Sequence, residues 1–215
     1  MERRLVPELL DSLPHHHPDA LHNRRDLRLI NAFMGNVRWF VRTLPPLVEA
    51  DERVLELGAG LGELANELAS HGPQIDGLDL WPQPRDWPAG RTWHQADLEQ
   101  FSDWARYRVV MGNMILHQFP PESLADLGAH LDAHARLLVF CEPARRRRSQ
   151  RLFALAAPLF GANHISRHDG HVSIAAGFLD DELPRQLGLS PARWRWEIGC
   201  TFFGAYRLVA HRLEP

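Results

Sequence analysis

Val54 to Ala65, VLELGAGLGELA, is the stretch whose reading decides the fold. Val54-Leu55-Glu56-Leu57 is a short apolar run with the length of a buried strand. Gly58, Ala59, Gly60, Leu61 and Gly62 follow as a tight GxGxG turn. Glu63 to Ser70 then reads as a helix, with Leu64, Ala65, Leu68 and Ala69 on one apolar face. Strand, glycine turn and helix make the first unit of a doubly wound α/β domain, whose ligand sits where the strand ends.

The spacing of the glycines narrows the ligand. A dinucleotide fingerprint, GxGxxG, needs a third glycine where this chain has Glu63. GxGxG with an acid two residues before its first glycine, Glu56, instead resembles motif I of the class I methyltransferases, which bind S-adenosylmethionine (SAM). The resemblance implies a Rossmann-like α/β fold with a seven-stranded, mostly parallel sheet and an N-terminal helical extension. Residues 1–48 are then the extension or lid, and residues 49–215 the methyltransferase domain. SAM is the implied cofactor and S-adenosylhomocysteine (SAH) the product. Gly58, Gly60 and Gly62 lack a Cβ, so the backbone at Gly58, Ala59 and Gly60 can approach the ligand and take φ > 0. The helix amides beyond the turn suit the methionyl carboxylate, and Glu56 suits the ligand's positive end.

The rest of the core follows in order. Gln74 to Leu80, QIDGLDL, reads as the second strand and ends in Asp79, 21 residues after Gly58. That is near the roughly 20-residue interval at which an acid meets the ribose hydroxyls. A carboxylate accepts two hydrogen bonds, which fits a cis-diol; Leu80 beside it belongs to the same cofactor site. Arg91 to Leu98 reads as a third strand ending in Asp97. The resemblance assigns Asp97 to the adenine amino group and the Leu98 amide to the ring. Arg108 to Leu116 is the fourth strand, carrying Asn113 and running into His117; Arg136 to Glu142 is the fifth. The resemblance is strong from about Asp51 to Pro143.

Composition bounds the class. A chain of 215 residues with 45% hydrophobic and 24% charged side chains is globular. All 24 basic side chains are arginine, and the net charge of −3 gives no general attraction to nucleic acid. Cys141 and Cys200 lie in predicted strands and read as reduced core residues. No signal peptide opens the chain and no apolar run reaches a membrane span, so a cytoplasmic protein without stable membrane insertion is expected.

Outside the core, residues 1 to 12 predict a short helix. His15, His16 and His17 sit between prolines with no carboxylate or cysteine to complete a ligand set, so no metal is expected there. Asp19 predicts the N-cap of one long helix running to Thr43. Its apolar stripe includes Leu27, Ile30, Phe33, Val37 and Phe40, and Arg24, Arg25, Arg28, Arg38 and Arg42 lie mostly off it. Gly35 inside that helix costs roughly 1 kcal/mol against alanine and suggests a kink or a close approach to a ligand. Asn36 and Trp39 are candidate substrate contacts in this lid. Arg145 to Arg148 makes a basic block before the apolar segment Leu152 to Phe160. That pattern reads as a helix buried against the sheet with solvated arginines at its start; a membrane-touching segment is the alternative. Asn163 to Phe178 reads as a substrate loop, with Arg167 and His168 as candidate contacts. Asp180 to Leu187 is a further helix. Arg193 to Ile198 and Phe202 to Ala210 predict two strands, which in the family pair antiparallel at the sheet edge.

RRDLRLIN with MGN near the start, and RHD with VSIAAGF late, are similar to small bacterial methyltransferases associated with type III polyketide synthases. That likeness implies a small-molecule acceptor, a lipophilic phenol or polyketide-type hydroxyl. A phenol with pKa about 10 is ionised in only about one molecule in a thousand at pH 7. A general base, typically worth ~10²–10⁴, matches that deficit. His117, just past the fourth strand and mostly neutral at an ordinary pKa near 6.5, is the candidate base, with His168 its rival. RNA or protein methylation, and SAM binding without catalysis, share the same core. No asparagine-proline-proline-aromatic motif for amide methylation follows Asn113.

Overall fold

A computed structural model of the chain describes residues 1–10, 13, 17–159 and 161–213, the side chains of Ala20, Leu21, Asn23 and Arg24 excepted. His15, His16, Phe160 and the Arg24 side chain, all part of the readings above, lie outside the described residues.

Seven strands form one sheet: β1 (Arg53–Leu57), β2 (Gln74–Asp79), β3 (Trp93–Gln95), β4 (Val109–Asn113), β5 (Leu137–Pro143), β6 (Trp194–Cys200) and β7 (Ala205–Arg212). Their spatial order is β3-β2-β1-β4-β5-β7-β6. The first five run parallel, and β7 pairs antiparallel with both β5 and β6. The chain order reverses between β1 and β4, the switch point where α/β sheets bind ligands. β1, β4 and β5 are apolar on both faces because helices cover both. Leu55, Leu57, Val110, Leu138 and Phe140 enter one apolar layer; Val54, Val109, Met111, Val139 and Cys141 enter the other. β6 alternates buried and more exposed residues, as a one-sided edge strand does.

The helices are α1 (Pro18–Met34), α2 (Asn36–Thr43), α3 (Glu63–Ala69), α4 (Pro121–His134), α5 (Arg147–Leu159), α6 (His164–Ala176) and α7 (Glu182–Gln186). Several differ from expectation. The long N-terminal helix is two helices, broken where Gly35 takes φ 68° and both caps α1 and starts α2. Its first cap is His17, not Asp19: the His17 ring accepts from the Asp19 amide at 3.2 Å, and Pro18 takes the first helical position. Phe40 and Leu44 of this region are fully buried in the second apolar layer. Met1 to Glu8 form no helix but a strap laid over α6. Asn163 to Phe178, expected as a loop, is mostly α6, because the Asn163 side chain caps it by accepting from the Ser166 amide at 2.8 Å.

Two further corrections concern α5 and the last hairpin. Arg145 is not solvated. It is buried in an ion pair with Glu182, and its Nε donates to the Gly177 carbonyl at 3.0 Å. The apolar segment is not buried either, since Leu155 and Leu159 stand in solvent. Phe202 and Phe203 form the exposed turn between β6 and β7 rather than the start of a strand. Cys141 is a buried free thiol, and Cys200 a half-buried one.

Candidate active site

Gly58, Gly60 and Gly62 all take left-handed φ, at 64°, 56° and 74°. Nothing crowds a Cβ at Gly60, so conformation alone demands glycine there; at Gly58 a Cβ would also meet the Ile115 side chain at 2.8 Å. The turn is braced from β2. The Gly60 amide donates to Asp79 Oδ2 at 2.7 Å, and the Trp81 amide to Asp79 Oδ1 at 2.9 Å. β2 carries a second acid, Asp76, but this one is wholly buried and taken by Arg53, Thr92 and Tyr107. Position on the strand therefore separates a structural acid from one at the ligand end.

A cavity of about 440 Å³ opens beside the turn, within the range of small-molecule sites. Glu56, Gly58 and Gly60 form one side, Asn113 and His117 the floor, and α1, α5 and α6 the remaining walls. Those walls are largely apolar, with Ile30, Phe33, Val37, Leu152, Phe153 and Ile174 among them. Glu56 is buried, and its Oε2 has no hydrogen-bond partner. Burial, then the neighbouring Asp79 charge, holds its pKa well above the usual carboxylate range, and a cation or donor arriving at Oε2 would oppose that shift.

His117 sits between two carboxylates. Its Nδ1 is 2.7 Å from Glu142 Oε2, and its Nε2 is 3.5 Å from Glu8 Oε1. Glu142 is itself fixed by the amides of Ile115, Leu116 and His117. Burial alone would lower the His117 pKa, but the bonds and charges of Glu142 and Glu8 outweigh it and raise it to about 9. The expectation of a mostly neutral imidazole is therefore corrected. At pH 7 both ring nitrogens carry protons, and neither has a lone pair to receive another. Glu8 reaches this cluster from the strap. Burial would raise its pKa, but the His117 and Ser173 bonds outweigh that and lower it.

Glu8 also lines the cavity. Asn36 Nδ2 donates to Asn31 Oδ1 at 3.0 Å and to Asn113 Oδ1 at 3.1 Å, joining the helix break to the end of β4.

A methyltransferase-domain family model matches residues 22–175. The chain belongs to that family. A comparison with curated proteins finds no match. Several solved structures share the fold. The plantazolicin methyltransferase BpumL, in complex with a pentazolic desmethylplantazolicin analog and SAH, is 11% identical, with 95% of this chain and 93% of that chain covered at TM-score 0.69. Magnesium protoporphyrin IX methyltransferase from Synechocystis PCC 6803, with bound SAH, is 19% identical over 88% and 86% at TM-score 0.56. A structure described as the conversion of a disulfide bond into a thioacetal group during echinomycin biosynthesis is 20% identical over 82% and 80% at TM-score 0.56.

In this methyltransferase the cavity gathers Glu56, Gly58, Ala59, Gly60, Asn113 and His117 from the candidate residues. Asp79 and Gly62 do not line it. Leu80 is exposed at the end of β2, and Asp97 caps the short helical turn that starts at Leu98 by accepting from the Glu99 amide at 3.0 Å. The four candidate substrate contacts do not line the cavity. Asn36 is buried behind Asn113, and Trp39 packs under the Arg207 guanidinium at 5.3 Å. Arg167 and His168 are exposed because α6 turns Ser166, Asp169, Gly170, Ser173 and Ile174 to the cavity, which leaves 167 and 168 on its far side.

Sequence reading missed Glu8, Asp26, Asp169 and Glu142. For Glu142 a signal exists, an acid ending the apolar strand RLLVFCE. Asp26 and Asp169 stand in the RRD and RHD stretches quoted above, but nothing local in those stretches marks them as ties between distant segments. They are buried ties, with Asp26 Oδ2 accepting from Ser166 Oγ at 2.6 Å and Asp169 from the Leu9 and Leu10 amides at 2.8 and 3.0 Å.

Proposed function

We propose that this protein transfers the methyl group of SAM to a hydroxyl of a lipophilic phenolic or polyketide-type small molecule. The observation that carries the reading is Glu56: a buried acid with an unpartnered oxygen, on the wall of a largely apolar cavity beside a left-handed glycine turn. An orphaned buried acceptor is costly unless a ligand satisfies it, and the positive methionyl end of SAM does so. Glu56, Gly58, Ala59, Gly60 and Gly62 would hold that end. Asp79 and Leu80 would hold the ribose side, Asp97 and Leu98 the adenine, and Asn113 the turn between cofactor and acceptor. Leu80, 64% exposed at the strand end, suits cover by an aromatic base. When bound, SAM supplies an electrophilic methyl on a sulfonium.

The chain's own residues then position the acceptor and take its proton. The apolar walls from α1, α5 and α6 desolvate a lipophilic acceptor and hold it for in-line attack, where orientation supplies several kcal/mol. Glu8, Asp26, Glu56, Glu63 and Asp169 line the cavity against Arg28 and His117, so an anionic acceptor such as an RNA backbone is disfavoured. As the hydroxyl oxygen gains the methyl, its proton becomes that of an oxonium, acidic enough for a carboxylate to take. Glu8 is a cavity-lining carboxylate whose ionised form the His117 cation favours. The role first read for His117 thus passes to Glu8, with His117 as its positioning residue. Arg167 and His168, on the outer face of α6, would meet only a part of the acceptor that extends out of the cavity.

Incubation with methyl-labelled SAM and lipophilic phenols tests the proposal. The expected product carries the label on the phenolic oxygen. Label found only in RNA or protein, or on no acceptor although SAH binds, would overturn it.

A further inference from the structure

α5 is apolar on two sides. Leu152, Phe153, Ala156 and Ala157 face the cavity, while the opposite side exposes Arg147, Arg148, Arg151, Leu155 and Leu159. Leu155 is 73% exposed and Leu159 84%. Arg148, Arg151, Leu155 and Leu159 recur at steps of three and four, one stripe of roughly 16 Å at 1.5 Å per residue. A surface helix ordinarily turns such leucines inward.

The stripe continues into the hairpin tip. The Arg148 guanidinium lies 4.6 Å over the Phe202 ring, which is 58% exposed. Phe202 meets Phe203 edge-on at 5.4 Å, and Phe203 meets Phe33 at 4.4 Å. Phe33 and Phe203 also line the cavity, so the apolar surface runs from α5 to the cavity mouth. Single exposed leucines are ordinary; a run of them around a binding-site mouth marks an interaction surface. The charge carried by the α5 segment itself has one sign. Arg146, Arg147, Arg148 and Arg151 are all exposed, and the sequence has no Asp or Glu from Pro143 to His168.

We propose that this face docks on an anionic phospholipid bilayer. Leu155, Leu159 and Phe202 enter the headgroup–acyl boundary, and the arginines meet the lipid phosphates. Among the described residues no helix is long and apolar enough to cross a membrane, so the contact lies in the interface plane. Docked this way, the cavity opens toward the phase in which a lipophilic acceptor is concentrated. The proposal goes beyond methyl transfer and does not depend on it.

Vesicle co-sedimentation tests it, with phosphatidylcholine vesicles lacking or containing phosphatidylglycerol. The wild type is expected to sediment with the anionic vesicles only, and less as salt rises. L155E/L159E should lower partitioning at least tenfold. R147Q/R148Q/R151Q should lower it by about fivefold per arginine, on the order of 10² in all. Unchanged melting temperature and SAH affinity show that the variants fold. A wild type that stays in solution, or variants that sediment as well as it does, would overturn the proposal. So would a wild-type dimer, measured by light scattering, that L155E/L159E splits without any vesicle binding; the face would then join two copies. Vesicle binding without SAH binding would leave docking intact and refute the methyl-transfer reading.

Discussion

The Nδ1 of His117 lies 2.7 Å from Oε2 of Glu142, and both side chains are buried. Glu142 stands near the end of β5, whereas Glu8, on the other side of the ring, arrives from the N-terminal strap. A histidine held this way is a clamp. Its folded pKa of about 9 exceeds its ordinary 6.5, so its stabilising contribution is full below about pH 6.5 and is lost as pH rises through 9. For Glu8 the shift is downward, so its contribution is present above the ordinary carboxylate pKa and lost as pH falls through its lowered value.

His117→Gln should therefore destabilise the protein by ~3 kcal/mol near neutral pH. That is the low end for splitting a buried ion pair, because Glu142 keeps its three backbone amides. Melting curves from pH 6 to 10 check this. The gap between wild type and variant should be several degrees at pH 6–7 and close above pH 9. A gap that does not change with pH would mean that His117 is neutral in the fold.

Glu8→Gln removes the proton acceptor but keeps the shape. Turnover of a phenolic acceptor should drop by ~10² or more, with SAH affinity nearly unchanged. If turnover falls less than about threefold, Glu8 only fastens the strap and positioning alone carries the reaction.

Glu56 links cofactor binding to a proton. Burial and the Asp79 charge raise its pKa in the ligand-free protein, and a cationic ligand favours the ionised form. SAH affinity should rise with pH until Glu56 ionises unaided, with a proton released on binding. Calorimetry in buffers of different ionisation enthalpy reads that release, and Glu56→Gln should abolish it. The same variant should make the ligand-free protein no less stable at neutral pH, because stability carried by a raised carboxylate pKa falls as pH climbs above the ordinary value.

The Asn31–Asn36–Asn113 bonds place the helix break at the end of β4, on the side where the cofactor turn lies. If α1 and α2 close over a bound ligand, amides from Pro18 to Thr43 should exchange more slowly with SAH present. Equal exchange in both states would make them a fixed support.

The parallel core was legible because VLEL, QIDGLDL and RLLVFCE are apolar runs ended by acids or glycine, a pattern set by burial on both faces. The glycine turn was legible because left-handed φ needs glycine. Local reading failed where long-range contacts decide. No periodicity in ERRLVPEL predicts a strap, since Arg3 and Glu8 are held by the carbonyls of His117 and Phe119 and by Ser173, more than a hundred residues away. For α5, composition indicated an apolar helix, but only its neighbours determine which leucines they cover. His117 was read at its ordinary pKa because its two carboxylates, Glu8 and Glu142, lie 109 residues before it and 25 residues after it in the chain.

The central claim is that the Gly58–Gly62 turn, braced by Asp79, holds SAM. Calorimetric titration of SAH into the wild type and Asp79→Ala, with NADH as control, tests it most directly. SAH is expected to bind the wild type, with affinity at least tenfold lower in Asp79→Ala, and NADH is expected not to bind. Tight NADH binding with no heat from SAH, or SAH affinity undiminished in the variant, would contradict it.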